Sequence, residues 1–285
     1  MYTLATPSAS HLTLGLSQES VLQRICVKPP YYALNNESYY AGVFRAEASA
    51  ELAQGSALGP MRPGDISRHG AIAGSCAIAL AQSDDEPRYY LATKASYCGM
   101  LLEAPYGTPV QFEAKVEQLN KRRAEATIYA SVDGRLLATL NTTYSILKPA
   151  LFDRLNAHRR ALTVRSGAMN PIGEYPTRWT GDTGVCTVPS LPASACSGHF
   201  DNYPAAPVAL LMHQLAQVAE DALPHPSYIA RAEVTADSLC WAGEEAVFSM
   251  TKMTKVGDEL GESRFDGGIS SEGKSVGTMQ LWLRY

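Results

Sequence analysis

The chain has 285 residues, 46% of them hydrophobic, and a formal net charge of −4. That length supports one large core or two of ordinary size, and an acidic balance with no basic run longer than Lys121-Arg122-Arg123 argues against nucleic-acid binding. No apolar stretch reaches the roughly 18 residues that a spanning helix needs, and Met1 to Thr6 lead into no hydrophobic leader block, so a cytoplasmic protein is expected.

Residues 1–24 carry little pattern beyond a short helix over 17–25. Tyr39 to Ala48 alternates apolar and polar residues and reads as a strand. A Gly- and Pro-rich loop over 57–65 then leads into a helix over 70–82 that has almost no polar face. Strands follow over 88–97, 109–118, 124–132 and 136–147, the last two flanking Asp133-Gly134, a strong hairpin dipeptide. Residues 149–162 form an amphipathic linker helix, with Arg154, His158, Arg159 and Arg160 expected on a solvated face. Strands near Thr177 and Val185 precede a second apolar helix over 208–222, and four more strands are expected over 229–239, 246–255, 262–269 and 276–284.

This order repeats. Aligning Ala81-Gln82 with Ala216-Gln217 gives an offset of 135, Gly107 with Gly243 gives 136, and Gly134 with Gly273 gives 139. So small a drift is what short loop insertions produce. The expected organisation is an N-terminal unit over 1–148, a linker helix over 149–165 and a C-terminal unit over 166–285. A helix that is apolar all round must be wrapped, so each unit is expected to be α+β, an antiparallel sheet around one central helix.

The six cysteines, at 26, 76, 98, 186, 196 and 240, show neither Cys-x-x-Cys nor zinc-ligand spacing. They are expected to be reduced, with no metal site, and no phosphate-binding or cofactor motif is present. Cys76 stands near the start of the expected first helix, where a thiol pKa can be lowered, although an inert small core residue is the plainer reading.

The most informative stretch runs from Gly198-His199-Phe200 through Pro204 and Pro207 into the helix beginning at Val208. Pro207 suits the first position of a helix, where its missing N–H costs nothing. Gly-His-Phe-x-x-x-Pro-x-x-Pro followed by a hydrophobic helix ending Leu-Ala-Gln resembles the hot-dog-fold 3-hydroxyacyl thioester dehydratases, closely over about 25 residues and by pattern elsewhere. The resemblance implies a tandem (double) hot-dog fold acting on an acyl thioester of coenzyme A or acyl carrier protein, with assembly of copies through sheet packing. It also implies that His199 is the catalytic base. The family's acid partner stands fourteen residues later, where this chain has His213, so an imidazolium would have to protonate the departing hydroxyl.

In such dehydratases each site draws on both subunits. The resemblance therefore sets His199 against Ser75, Cys76 and Ile78 of the first helix, and His213 against Asp65 and His69. Gly64-Asp65-Ile66-Ser67-Arg68-His69 is similar to the Gly-Asp-x-Asn-Pro-x-His motif of hydratase-type hot dogs, but lacks Asn-Pro and brings the His one residue early. Arg68-His69-Gly70-Ala71 is similar to the His-Gly-Gly opening of hot-dog thioesterases, although no Asp or Glu lies between Gly70 and Gln82. The candidate catalytic residues are thus His199, His213 and His69, and the candidate substrate-binding residues Asp65, Gly70, Ser75, Cys76, Gly198 and Phe200. A dehydratase is the first expectation and a thioesterase the alternative. A third reading, a non-catalytic acyl-chain binder or synthase partner, follows from the missing carboxylates, with His213 then a hydrogen-bonded core residue.

Overall fold

The computed structural model describes residues 18–50, 59–105, 107–161, 172–200, 202–253 and 261–285. In chain order the elements are α1 (Gln18–Leu22), β1 (Asn35–Tyr40), β2 (Val43–Ala48), α2 (Pro63–Ala81), β3 (Tyr89–Gly99), β4 (Val110–Leu119), β5 (Arg123–Val132) and β6 (Arg135–Leu147). After α3 (Pro149–Asn156) come β7 (Thr177–Thr180), β8 (Thr183–Val188), α4 (Val208–Glu220), β9 (Tyr228–Ala236), β10 (Ala246–Lys252), β11 (Glu262–Ser271) and β12 (Lys274–Arg284). The end of the strand expected over 246–255 and the last residue of the helix expected over 149–162 lie outside the described residues.

The strands join in one antiparallel sheet of 12, in the order β1-β2-β4-β5-β6-β3-β9-β12-β11-β10-β8-β7. The two antiparallel sheets expected, one for each half, are here joined edge to edge. The seam is the β3–β9 pair, whose register runs from Lys94 opposite Thr235 to Cys98 opposite Arg231. Each half has the same order about that seam: a hairpin, a helix, then four strands. Helix α2 packs on β2, β3, β4, β5 and β6, α4 packs on β8, β10, β11 and β12, and the two helices touch.

Local chemistry sets the boundaries. Asp133 (φ 48) and Gly134 (φ 74) both take the left-handed conformation that a two-residue hairpin turn requires, as the dipeptide predicts. The strand expected over 39–48 is instead a hairpin, turning at Ala41 (φ 50) and Gly42 (φ 81). Helix α2 starts at Pro63 rather than Gly70, because Pro63 occupies the tolerated first turn and Gly64, Ile66, Arg68 and His69 are already buried there. Cys76 consequently lies well inside α2, not at its N-terminus. Apolar side chains from most sides of α4, among them Leu210, Leu211, Met212 and Ala216, are buried, as the wrapped-helix argument requires. All six cysteines are free, and among the described residues no helix is long and apolar enough to cross a membrane.

Arg159 does not lie on a freely solvated face. Its Nη2 pairs with the buried Glu244 carboxylate at 2.6 Å, and its guanidinium lies 5.7 Å from the Trp241 ring centre. The linker is thereby fastened to the second half of the sheet.

Candidate active site

The loop ahead of α4 carries the candidate site. Gly198 (φ 77) permits its entry: an added Cβ would strike the Lys28 carbonyl oxygen, and the Gly198 carbonyl accepts from the Lys28 N–H at 2.8 Å. His199 Nδ1 lies 2.9 Å from the Ala205 carbonyl oxygen. A carbonyl cannot donate, so Nδ1 carries the hydrogen and Nε2 keeps its lone pair. The ring stacks on Phe200 at 3.9 Å between centres and lies 4.7 Å from Tyr31. Burial between these rings lowers its pKa to about 4, against the partial opposition of the Ala205 bond, so the imidazole is neutral at physiological pH.

His199 and Phe200 line a cavity of about 270 Å³ between the two halves of the chain. Helix α2 supplies Ala71, Ile72 and Ser75, helix α4 supplies Val208, Ala209 and Leu211, and Tyr31, Leu91 and Tyr144 add further surface. Tyr144 spends its hydroxyl hydrogen on the Ala71 carbonyl at 2.9 Å, and Ser75 spends its own on the Ile72 carbonyl at 2.7 Å. Each therefore presents an oxygen lone pair rather than a free donor. Asp237 is the single carboxylate among the described lining residues; it is exposed and accepts from Ser275 Oγ at 2.9 Å. The first turn of α4 completes the wall. Pro207 caps it through its carbonyl, so the helix itself offers the Val208 and Ala209 N–H groups no acceptor.

The other expected grouping does not assemble. His213 lines a second cavity of about 80 Å³, together with Gly64 and Ser67, and its Nε2 is buried without a hydrogen-bond partner among the described residues. Burial, then the Arg62 charge, lowers the His213 pKa to about 4. His69 lines neither cavity. It is fully buried beside Phe112, its Nε2 accepts from Arg68 Nη2 at 3.0 Å, and burial with the Arg68 charge holds its pKa far below the ordinary value. Its lone pair is already spent. Asp65, Gly70, Cys76, Ile78 and Gly198 also line neither cavity. Gly70 instead lets α2 approach Leu140 and Ile128. Cys76 is fully buried, and its thiol pKa is raised by that burial, the opposite of a helix-terminus activation.

Of the expected site residues, the structure thus brings together His199, Phe200 and Ser75 around one cavity. Sequence reasoning missed Tyr31, Tyr144 and Asp237, which reach the cavity from elements distant in the chain. Among the described residues no cluster of His, Cys, Asp and Glu is placed to hold a metal ion.

No protein-family model and no curated protein matches the sequence. Solved structures do match. A Lactobacillus plantarum protein assigned as an oleoyl thioesterase superposes with a TM-score of 0.61 at 11% identity, over 85% of this chain and 96% of its own. An acyl-ACP thioesterase of Bacteroides thetaiotaomicron gives a TM-score of 0.52 at 16% identity, over 85% and 98% of the two chains. A protein of Alicyclobacillus acidocaldarius described as having a hot dog fold gives 0.51 at 14% identity, over 90% and 98%. Coverage this complete at identities this low is a likeness of fold. The chain has the hot-dog fold.

Proposed function

We propose that this protein hydrolyses acyl thioesters of coenzyme A or acyl carrier protein, with the 270 Å³ cavity holding the acyl chain and His199 as general base. The observation that carries this reading is the tautomer of His199: the Ala205 carbonyl holds the hydrogen on Nδ1, so a neutral Nε2 lone pair is available in the wall of an apolar cavity. Nε2 takes a proton from water, and the hydroxide adds to the thioester carbonyl. The Val208 and Ala209 N–H groups stabilise the oxyanion. The C–S bond then breaks, and the imidazolium returns its proton to the leaving thiolate. Two of the structurally similar proteins carry thioesterase descriptions, which agrees with this reading.

The chain is read as two tandem hot-dog units, over 1–148 and 166–285 and joined by 149–165, because the element order repeats about the β3–β9 seam. In this reading His69 and Cys76 are packing residues.

The Gly-His-Phe frame supports a second reading, 3-hydroxyacyl dehydration with His199 removing the C2 proton. Dehydration also needs an acid for the departing hydroxyl. The described lining offers Ser75 and Tyr144 hydroxyls already committed to carbonyls, and the exposed Asp237. Hydrolysis needs only the one base, and for that reason it is preferred. Incubation with acyl-CoA in ¹⁸O-labelled water tests it: one labelled oxygen is expected in the released acid. Interconversion of 3-hydroxyacyl and 2-enoyl thioesters without release of acid would establish the dehydratase reading instead. Tight binding of acyl thioesters without turnover would establish the non-catalytic one.

A further inference from the structure

The two cavities share a wall. Ala71, Ala92, Val208 and Ala209 line both, so one layer of mostly methyl side chains separates the space beside His199 from the space beside His213. The smaller space, about 80 Å³, is several times what a single water needs. On one side of it α2 and α4 approach closely: a Cβ on Gly64 would lie 2.6 Å from His213 Cβ. Its surface is otherwise largely apolar, from residues such as Leu140, Met212, Val234 and Met279, and into this surface α4 brings an imidazole whose Nε2 has no partner among the described residues. A buried polar nitrogen without a partner is unfavourable. It becomes favourable once a ligand supplies the missing bond.

We propose that the smaller cavity receives the far end of the acyl chain and that His213 hydrogen-bonds a hydroxyl there, making the preferred substrates acyl thioesters with a hydroxyl at or near the chain terminus. This rests on the reading of the His199 cavity as the acyl site. A hydroxyl is the fitting group because it both donates and accepts, and so satisfies Nε2 in either neutral tautomer of His213. Nearby Ser67, Ser96 and Thr142 add hydroxyl surface to the same cavity. A cationic terminus does not suit it, because burial and then the Arg62 charge both disfavour positive charge there, as the depressed pKa of His213 records. Ala209 stands in the shared wall that the acyl chain must pass, so a larger side chain there would thicken the barrier.

The test uses the full chain and two matched series of ligands, unsubstituted and terminally hydroxylated, from hexanoate to tetradecanoate. Displacement of a fluorescent fatty acid gives affinities without requiring turnover, so a failure of this proposal is distinguishable from a failure of the hydrolase reading. The expected result is a preference of roughly three- to tenfold for the hydroxylated acid, confined to a narrow range of lengths. The same preference should appear in kcat/KM for the corresponding CoA thioesters. His213→Phe, which keeps the volume apolar, should bring the ratio close to one, and Ala209→Leu should move the length optimum shorter. Equal affinity for the two series at every length overturns the proposal, as does a ratio unchanged in His213→Phe.

Discussion

His199 Nδ1 donates to the Ala205 carbonyl oxygen across 2.9 Å, and this contact decides what the imidazole can do. It fixes the tautomer and the ring plane while burial keeps the ring neutral. The Ala205 carbonyl is itself held by backbone contacts on either side. Ala205 bridges Trp241, and the Ala206 N–H donates to the Cys240 carbonyl at 2.7 Å.

The support under that contact is testable. Glu244 accepts from Ser271 Oγ at 2.9 Å and from the Trp241 N–H at 3.2 Å, and it pairs with Arg159. Removing the carboxylate leaves these donors unpaired and releases the Trp241 segment that Ala205 leans on. Glu244→Ala should cost about 1–3 kcal/mol, the Arg159 end being partly exposed and screened. Denaturant unfolding measures that loss. In the fraction that remains folded, kcat should fall more than KM rises.

Helix packing gives a second prediction. Gly64→Ala drives a methyl group into His213 Cβ at 2.6 Å, and neither side is a flexible chain end. The helices must separate, at a cost of about 1–3 kcal/mol. An unchanged unfolding midpoint would mean that α2 and α4 sit further apart than described.

The histidines predict the response to acid. In the fold His199 and His213 titrate at about 4, against about 6.5 when unfolded. Between those values the unfolded chain binds protons that the folded chain does not, so stability falls as pH drops from about 6.5 toward 4. Glu220 opposes this, since burial lifts its pKa to about 7 and its contribution is lost as pH rises through that value. His69, whose pKa burial also depresses, acts in the same direction, and the three histidines outweigh one glutamate over this range. The melting temperature should therefore rise from pH 4.5 to 6.5, and Glu220→Gln should steepen the rise.

Much of the fold was legible because hydrophobic periodicity and turn dipeptides are local signals. The Asp133-Gly134 hairpin, the two apolar helices and ten of the strands declare themselves within short windows. The joining of the halves into one sheet was not legible, because the pairing of Lys94 with Thr235 links residues far apart in sequence with no motif to mark it. The start of α2 was misplaced for a physical reason: Pro63 and Gly64 look like loop residues, but the first favours an opening helical turn and the second allows close contact with α4. In the site, the Gly-His-Phe frame marked His199. His69 is a further candidate although its spacing is one residue short of the motif, and only its burial and its bond to Arg68 show that its lone pair is occupied.

These placements also predict that His213→Glu creates no dehydratase. His213 lines the smaller cavity and not the one lined by His199, so a carboxyl at that position meets a different part of the substrate. Enoyl-thioester absorbance should stay unchanged on addition of 3-hydroxyacyl-CoA to the variant.

The most direct measurement is thiol release from a panel of acyl-CoA thioesters by the intact chain, by His199→Ala and by His69→Ala, each checked for its melting temperature. Saturable thiol release is expected from the intact chain. His199→Ala should lower kcat/KM by about 10²–10⁴ with little change in melting temperature, whereas His69→Ala should lower the melting temperature and largely spare the rate of the folded fraction. A His199→Ala variant that releases thiol as fast as the intact chain would contradict the account.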